Sequence, residues 1–275
     1  MEQRFNERRE VLKMTCKKYA SKLSNTAIET LNSLYYSKDF NLLLCSVAKA
    51  GSSTMKNQLF RLQKGYYKDG NIHKLVHFLR ANLRVGGIKE VKELMYRRKK
   101  NTTIMTARHP LDRLVSAYRD KYRDGQSRPK GKFINLAKNA VKRDTGGRNS
   151  RNITVTFTQF LQLVLNDQRG NVNNHWEPYY KVCTPCVLPY QYIFNTETLN
   201  EDFSYISQKI GANLEVDQSF HAHKTSGTTS NTTTTHYFHY YTFVDPDLLR
   251  KIYKVYQIDF EMFGYEVPEF LKRVL

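Results

Sequence analysis

The chain has 275 residues, and 44 Lys and Arg against 25 Asp and Glu give it a formal net charge of +19. That length suits one domain or at most two and can bury a sizeable core. Its 19 tyrosines and 15 phenylalanines exclude a disordered chain. The charge draws polyanions (nucleic acid, an acidic lipid surface or an acidic polysaccharide) without choosing among them.

In chain order, residues 1–35 read as helix, with Val11, Leu12, Leu23, Ile28, Leu31 and Leu34 on apolar faces. The opening MEQRFNERREVLKMTCKK is charged and is no signal peptide, and no apolar run reaches the roughly 18 residues of a membrane span. Taken alone, this reads as cytosolic or nuclear, or as a form lacking its anchor. Residues 41–47 form the first buried strand, and 53–64 the helix after it. A basic helical region runs from about 72 to 100 and ends in RRKK. TIMTA, Thr103 to Ala107, is a second buried strand. In RHPLDRLVSAYRDKY, Pro110 suits a first helical turn, and Leu111, Leu114, Val115 and Tyr118 make one apolar stripe. A basic Gly/Pro/Ser-bearing loop covers about 125–152. FTQFLQLVL, Phe157 to Leu165, is helical. YQYIF, Tyr190 to Phe194, is a third strand, and Glu197 to Ile210 a helix. A Thr-rich loop spans 224–236, and a closing helix starts at Pro246. Strands alternating with helices predict an α/β fold: a single domain with a central parallel sheet flanked by helices. We divide it into an N-terminal helical segment, 1–40, and a main domain, 41–275.

The stretch CSVAKAGSSTMKNQLFRL, Cys45 to Leu62, places a small-residue loop between strand and helix, the layout of an anion-binding turn. Lys49 precedes Gly51, so this is not the G-x-x-x-x-G-K-[ST] triphosphate loop. Backbone N–H groups from Gly51 to Thr54 and the hydroxyls of Ser52, Ser53 and Thr54 point to an anion, with Lys49 as a charge beside it. The alternative is an ordinary strand-to-helix turn. Arg108 sits at the carboxyl end of the second strand, where open parallel sheets bind ligands. Ser116 lies two turns into the next helix. Together they suit a second phosphate; the alternative is a surface arginine and a helix serine.

KAGSST resembles the 5′-phosphosulfate loop of sulfotransferases, and RHPLDRLVSAYRDKY resembles their 3′-phosphate motif, an Arg and a Ser eight apart. NNHWEPYYKVCTPC, Tyr190, ETLNED and YQIDFEMFGY follow in order. That set resembles the Golgi carbohydrate sulfotransferases, the group holding chondroitin and dermatan 4-O-sulfotransferases, from about Cys16 to Tyr265. The resemblance implies a P-loop-like fold and 3′-phosphoadenosine-5′-phosphosulfate (PAPS) as sulfuryl donor, with no metal. It implies that Lys49, Ala50, Gly51, Ser52, Ser53 and Thr54 face the 5′ side and that Arg108 and Ser116 hold the 3′-phosphate. Ala48 stands where the family usually has Pro and Met55 where this branch has Trp, which removes an aromatic near the donor. The implied acceptor is an acidic, chondroitin-like glycan, not nucleic acid. The implied compartment is the Golgi lumen, with membrane attachment only through an anchor this sequence does not display.

Sulfuryl transfer is an in-line displacement at sulfur. Lys49 would stabilise charge on the departing bridging oxygen. The acceptor hydroxyl must lose a proton, and imidazole, with a reference pKa of about 6.5, suits that task. His175 in NNHWEP is the candidate base; a bracing side chain is the alternative, and His109 is the rival base. Cys16, Cys45, Cys183 and Cys186 allow three fully paired connectivities. A zinc site needs about four ligands, and the resemblance implies structural cysteines instead, disulfide-bonded in a secretory compartment. N-x-[ST] sequons begin at Asn101, Asn152 and Asn231. One basic cluster is Arg80, Arg84 and Arg97 to Lys100. A second runs from Arg119 to Arg151 and suits an acidic glycan. Two rival functions are a nucleic-acid binder, suggested by charge but without a recognition signature, and a small-molecule kinase, for which Asp112 is the sole near Mg²⁺ candidate. An inactive sulfotransferase relative is a further alternative.

Overall fold

The computed structural model describes residues 1–23, 33–64, 78–79, 82–96, 101–125, 129, 131, 133–138, 153–168, 172–212, 214 and 237–275. Outside them lie Arg80, the RRKK run, most of the 125–152 loop, the Thr-rich loop, and the Asn152 and Asn231 sequons. The elements are α1 Glu2–Lys18, α2 Ala20–Leu23, β1 Leu34–Ser37, β2 Leu42–Cys45, α3 Ser52–Lys64, α4 Ile88–Tyr96, β3 Thr102–Ala107, α5 Pro110–Lys121, α6 Phe157–Asp167, α7 Tyr179–Val182, β4 Tyr192–Asn195, α8 Leu199–Lys209, α9 Pro246–Met262 and α10 Glu269–Lys272. The chain divides into two compact units. One comprises Met1–Arg108, Pro178–Lys224 and Glu261–Tyr265, the other His109–Glu177, Thr225–Phe260 and Glu266–Leu275.

The first unit carries a sheet in the order β1-β2-β3-β4. β2, β3 and β4 run parallel, in register Cys45↔Met105 and Met105↔Ile193. The α/β class with a mostly parallel sheet flanked by helices is therefore as the sequence predicts. Both faces are covered, which is why LLLC and TIMTA are buried along their whole length rather than at alternate residues. On one face Leu44, Ile104 and Phe194 pack with Phe5 of α1, Met55 and Leu59 of α3, and Phe203 and Ile206 of α8. Burying one such side chain contributes roughly 1.5–3 kcal/mol. The other face buries Leu43, Met105 and Ile193 to 1% exposure or less. β1 corrects the reading of 1–35 as helix. It pairs antiparallel with β2, and its turn puts Asn41 in the left-handed region at φ 47°, where Asn is tolerated.

β4 is an edge strand, and α1 covers its carbonyls: Arg8 donates to Ile193 O (2.6 Å) and Arg9 to Gln191 O (2.7 Å). Arg8 also meets Oδ2 of Asp202 at 2.7 Å, and that carboxylate is fully buried. Arg4, the Thr198 hydroxyl and the Asn195 N–H complete the ring of donors around Asp202. Removing one partner of a buried ion pair strands the other charge, at a cost of about 3 kcal/mol or more. Asp202→Ala is therefore expected to lower Tm by roughly 6–12 °C, at about 2–4 °C per kcal/mol for a chain of this size. A thermal melt at fixed scan rate checks this; an unshifted melt would show that α1 docks by apolar contact alone.

Asn101, which begins one of the N-x-[ST] sequons, is only 4% exposed. Its amide nitrogen, the atom a glycan would occupy, donates to Leu94 O at 2.8 Å, and its oxygen accepts from the Tyr36 hydroxyl at 3.3 Å. Peptide mapping of secreted protein is expected to find Asn101 unmodified; a glycan there would contradict the packing around β3.

The second unit is helical, with an aromatic core. Tyr118 of α5 meets Phe157 of α6 edge-on at 5.2 Å, and Phe160 meets Trp176 edge-on at 5.6 Å. α5 starts as predicted, with Pro110 at its first position and His109 as N-cap. α6 is started by a capping box: the Thr156 hydroxyl accepts from Gln159 N–H and the Gln159 side chain accepts from Thr156 N–H.

Candidate active site

The loop after β2 turns sharply. Lys49 and Gly51 both lie in the left-handed region, at φ 69° and 72°. The Gly51 position favours glycine for its backbone conformation, and a Cβ there would lie 2.9 Å from a Leu199 methyl carbon that would have to shift. At Lys49 the same conformation is strained by about 1–2 kcal/mol, of the kind found where a loop is built around a ligand. Gly51 O accepts from Met55 N–H at 2.9 Å, which starts α3. The N–H groups of Ser52, Ser53 and Thr54 are then the helix's unpartnered first-turn donors. No acidic side chain lies in that turn, so the positive end of the helix is uncompensated and suits an anion.

Two neighbouring positions do different work. Ala50 is fully buried and its N–H is bonded to Val47 O at 3.2 Å, so it shapes the turn. The Met55 side chain is 2% exposed and packs in the sheet core. At this position the chain therefore differs from the family's aromatic in the packing beneath the loop.

β3 ends beside β2, so Arg108 leaves the same edge of the sheet as the Lys49 loop. The Arg108 guanidinium donates to the Lys49 carbonyl at 3.2 Å. The Arg108 N–H donates to the Tyr179 hydroxyl at 2.9 Å. At the third strand exit, the Tyr265 hydroxyl meets Glu197 at 3.3 Å.

Two disulfides fix this end of the sheet. Cys45, the last residue of β2, is bonded to Cys183, and Cys16 near the end of α1 to Cys186. All four cysteines are therefore consumed as cross-links, and the CxPC turn is tied to the strand that feeds the loop. Among the described residues no His/Cys/Asp/Glu group could hold a metal ion.

Ser116 and His175 belong to the second unit. Ser116 is half-buried on α5. The His175 imidazole is oriented by Asn173, whose Oδ1 accepts both the His175 backbone N–H (3.1 Å) and ring Nδ1 (2.6 Å). A backbone N–H can only donate, so the amide atom facing it must be oxygen. Nδ1 facing that oxygen must then carry the proton, which leaves the basic lone pair of the neutral ring on Nε2. Phe133 packs edge-on against the ring at 5.5 Å. Arg113, 1% exposed, holds this turn from α5 by donating to Glu177 O (2.7 Å) and Asn174 O (3.2 Å). The rival His109 is 8% exposed; its ring lies between the Tyr237 hydroxyl and Glu266 O, at 3.0 and 3.4 Å. That is a bracing environment.

Sequence reasoning passed over Tyr179, Arg113 and Asn173. Arg113 carried a faint signal, a cation beside the apolar stripe of α5. Tyr179 and Asn173 lie within NNHWEPYYKVCTPC, a stretch that marks the region but not what each side chain does.

Comparison with known families matches residues 5–266 to the sulfotransferase family. Mouse carbohydrate sulfotransferase 11 is 27% identical, covering 96% of this chain and 77% of its own length. Human carbohydrate sulfotransferase 9 is 30% identical, covering 97% of this chain and 61% of its own length. Zebrafish carbohydrate sulfotransferase 14 is 28% identical over 86% of this chain and 63% of its own length. No solved structure matches. A family match across nearly all of the chain decides the identity: this chain belongs to the sulfotransferase family.

Proposed function

We propose that the chain transfers a sulfuryl group from PAPS to a hydroxyl of an acidic, chondroitin-type glycan. The observation that carries the donor assignment is the pairing of two anion-binding features at one sheet edge: the α3 start with Lys49, and Arg108, bonded to the Lys49 carbonyl at 3.2 Å. Two such features suit a ligand with more than one anionic group, and the family match supports PAPS over a triphosphate. The named carbohydrate sulfotransferases among its relatives support a glycan acceptor.

PAPS supplies an electrophilic sulfuryl group on a phosphate leaving group. Toward it, the N–H groups and hydroxyls of Ser52, Ser53 and Thr54 bind the 5′ side, and the Lys49 ammonium offsets charge accumulating on the bridging oxygen. Arg108 takes the 3′-phosphate; for Ser116 the support is the Arg–Ser spacing of the sequence motif. His175 Nε2 removes the acceptor hydroxyl proton, with Asn173 fixing which ring nitrogen does so. Cationic side chains among the described residues, such as exposed Arg84, Arg123 and Lys138, contribute to the overall charge that draws an acidic polysaccharide. Two disulfides fit an oxidising, secretory compartment such as the Golgi lumen. None of the described helices is long and apolar enough to cross a membrane.

The test is transfer of ³⁵S from labelled PAPS to a panel of chondroitin, dermatan, heparan and N-linked glycans, in EDTA. Labelled chondroitin supports the full reading. Label only on another glycan overturns the acceptor class, and no label on any glycan overturns the activity.

A further inference from the structure

We propose that Tyr179 is a positioning residue for the donor site: its hydroxyl sets the Arg108 backbone and, through Arg108, the distance between the 3′-phosphate and phosphosulfate subsites. The inference rests on the donor reading above. Tyr179 is fully buried, and its hydroxyl accepts the Arg108 N–H at 2.9 Å and lies 3.4 Å from the Arg108 carbonyl. The ring is held edge-on against Phe263 at 4.9 Å. Tyr179 opens α7, whose C-cap, Cys183, is bonded to Cys45 at the end of β2. The loop that follows β2 carries Lys49, whose carbonyl accepts from Arg108 at 3.2 Å. These links close a ring: β2, disulfide, α7, the Tyr179 hydroxyl, Arg108, the Lys49 carbonyl and back to β2. One buried phenol thus fixes the arginine relative to the lysine loop. A buried phenol needs hydrogen-bond partners wherever it sits; here Arg108 supplies both an N–H and a carbonyl, so the hydroxyl's hold falls on the residue that carries the guanidinium.

Tyr179→Phe keeps the ring and its contact with Phe263 and deletes only the hydroxyl, so the fold is retained. Calorimetry of the whole chain with adenosine 3′,5′-bisphosphate is expected to show Kd raised about tenfold, the effect of one lost buried hydrogen bond. Binding of adenosine 5′-phosphate should be little changed, so preference for the 3′-phosphate falls by the same factor. In an Arg108→Ala background, Tyr179→Phe should add nothing, because the group it positions is gone. Equal weakening for both nucleotides, additivity with Arg108→Ala, or unchanged bisphosphate affinity would overturn the inference. If Arg108→Ala alone leaves bisphosphate affinity unchanged, the 3′-phosphate assignment itself fails and this inference with it.

Discussion

Lys49→Ala is expected to lower kcat by about a hundredfold to a thousandfold, the range for losing one pre-placed electrostatic stabiliser. The loop's shape should survive the change. Alanine and lysine bear the same Cβ and meet the same strain at φ 69°, and the carbonyl that Arg108 holds at 3.2 Å belongs to the backbone. The substitution therefore isolates the ammonium from the turn that carries it. Initial rates at saturating donor measure the effect; binding of adenosine 3′,5′-bisphosphate serves as the control and should weaken far less than kcat falls. Near-normal kcat would remove Lys49 from the transition state.

His175→Ala is expected to cost about 10²- to 10⁴-fold in rate, as for a general base, with bisphosphate binding intact. Asn173→Leu tests the same idea more finely. It removes the oxygen that accepts from Nδ1 at 2.6 Å, so the neutral ring no longer has its basic nitrogen fixed at Nε2. Activity should fall by roughly tenfold, because a base with two competing tautomers spends part of its time with the wrong nitrogen exposed. If His175→Ala melts the protein or abolishes donor binding, His175 is a brace for the turn that Arg113 holds.

The strand–loop–helix of residues 42–64 was legible because its period changes abruptly: four buried strand residues, a run of small residues, then apolar side chains at helical spacing. The start of α5 was legible from Pro110, and the sheet from two short strand-like runs, the apolar LLLC and the threonine-bearing TIMTA. β1 was not, because Leu34 continues the leucine spacing of the preceding stretch. Its signal lay in the Lys38–Asn41 turn, where Asn41 N–H closes on Lys38 O at 3.3 Å. For the site, charged and hydroxyl residues near strand ends could be read directly. The groups that aim them could not. Tyr179 reaches Arg108 across 71 positions and Arg113 reaches the Glu177 carbonyl across 64. Such bonds run from side chain to backbone between distant segments and leave no local pattern. Met55 shows the converse. A sequence difference beside a binding loop looked chemical, and helix geometry turned the side chain into the core.

The central claim is that one ligand bearing two separated phosphate-type groups binds at the carboxyl edge of β2 and β3. Calorimetric titration of the unmodified chain with adenosine 3′,5′-bisphosphate in EDTA, against adenosine 5′-phosphate, tests it most directly. Micromolar binding that requires the 3′-phosphate is the predicted result. Equal affinity for the two nucleotides, or no heat from a folded sample, would contradict it.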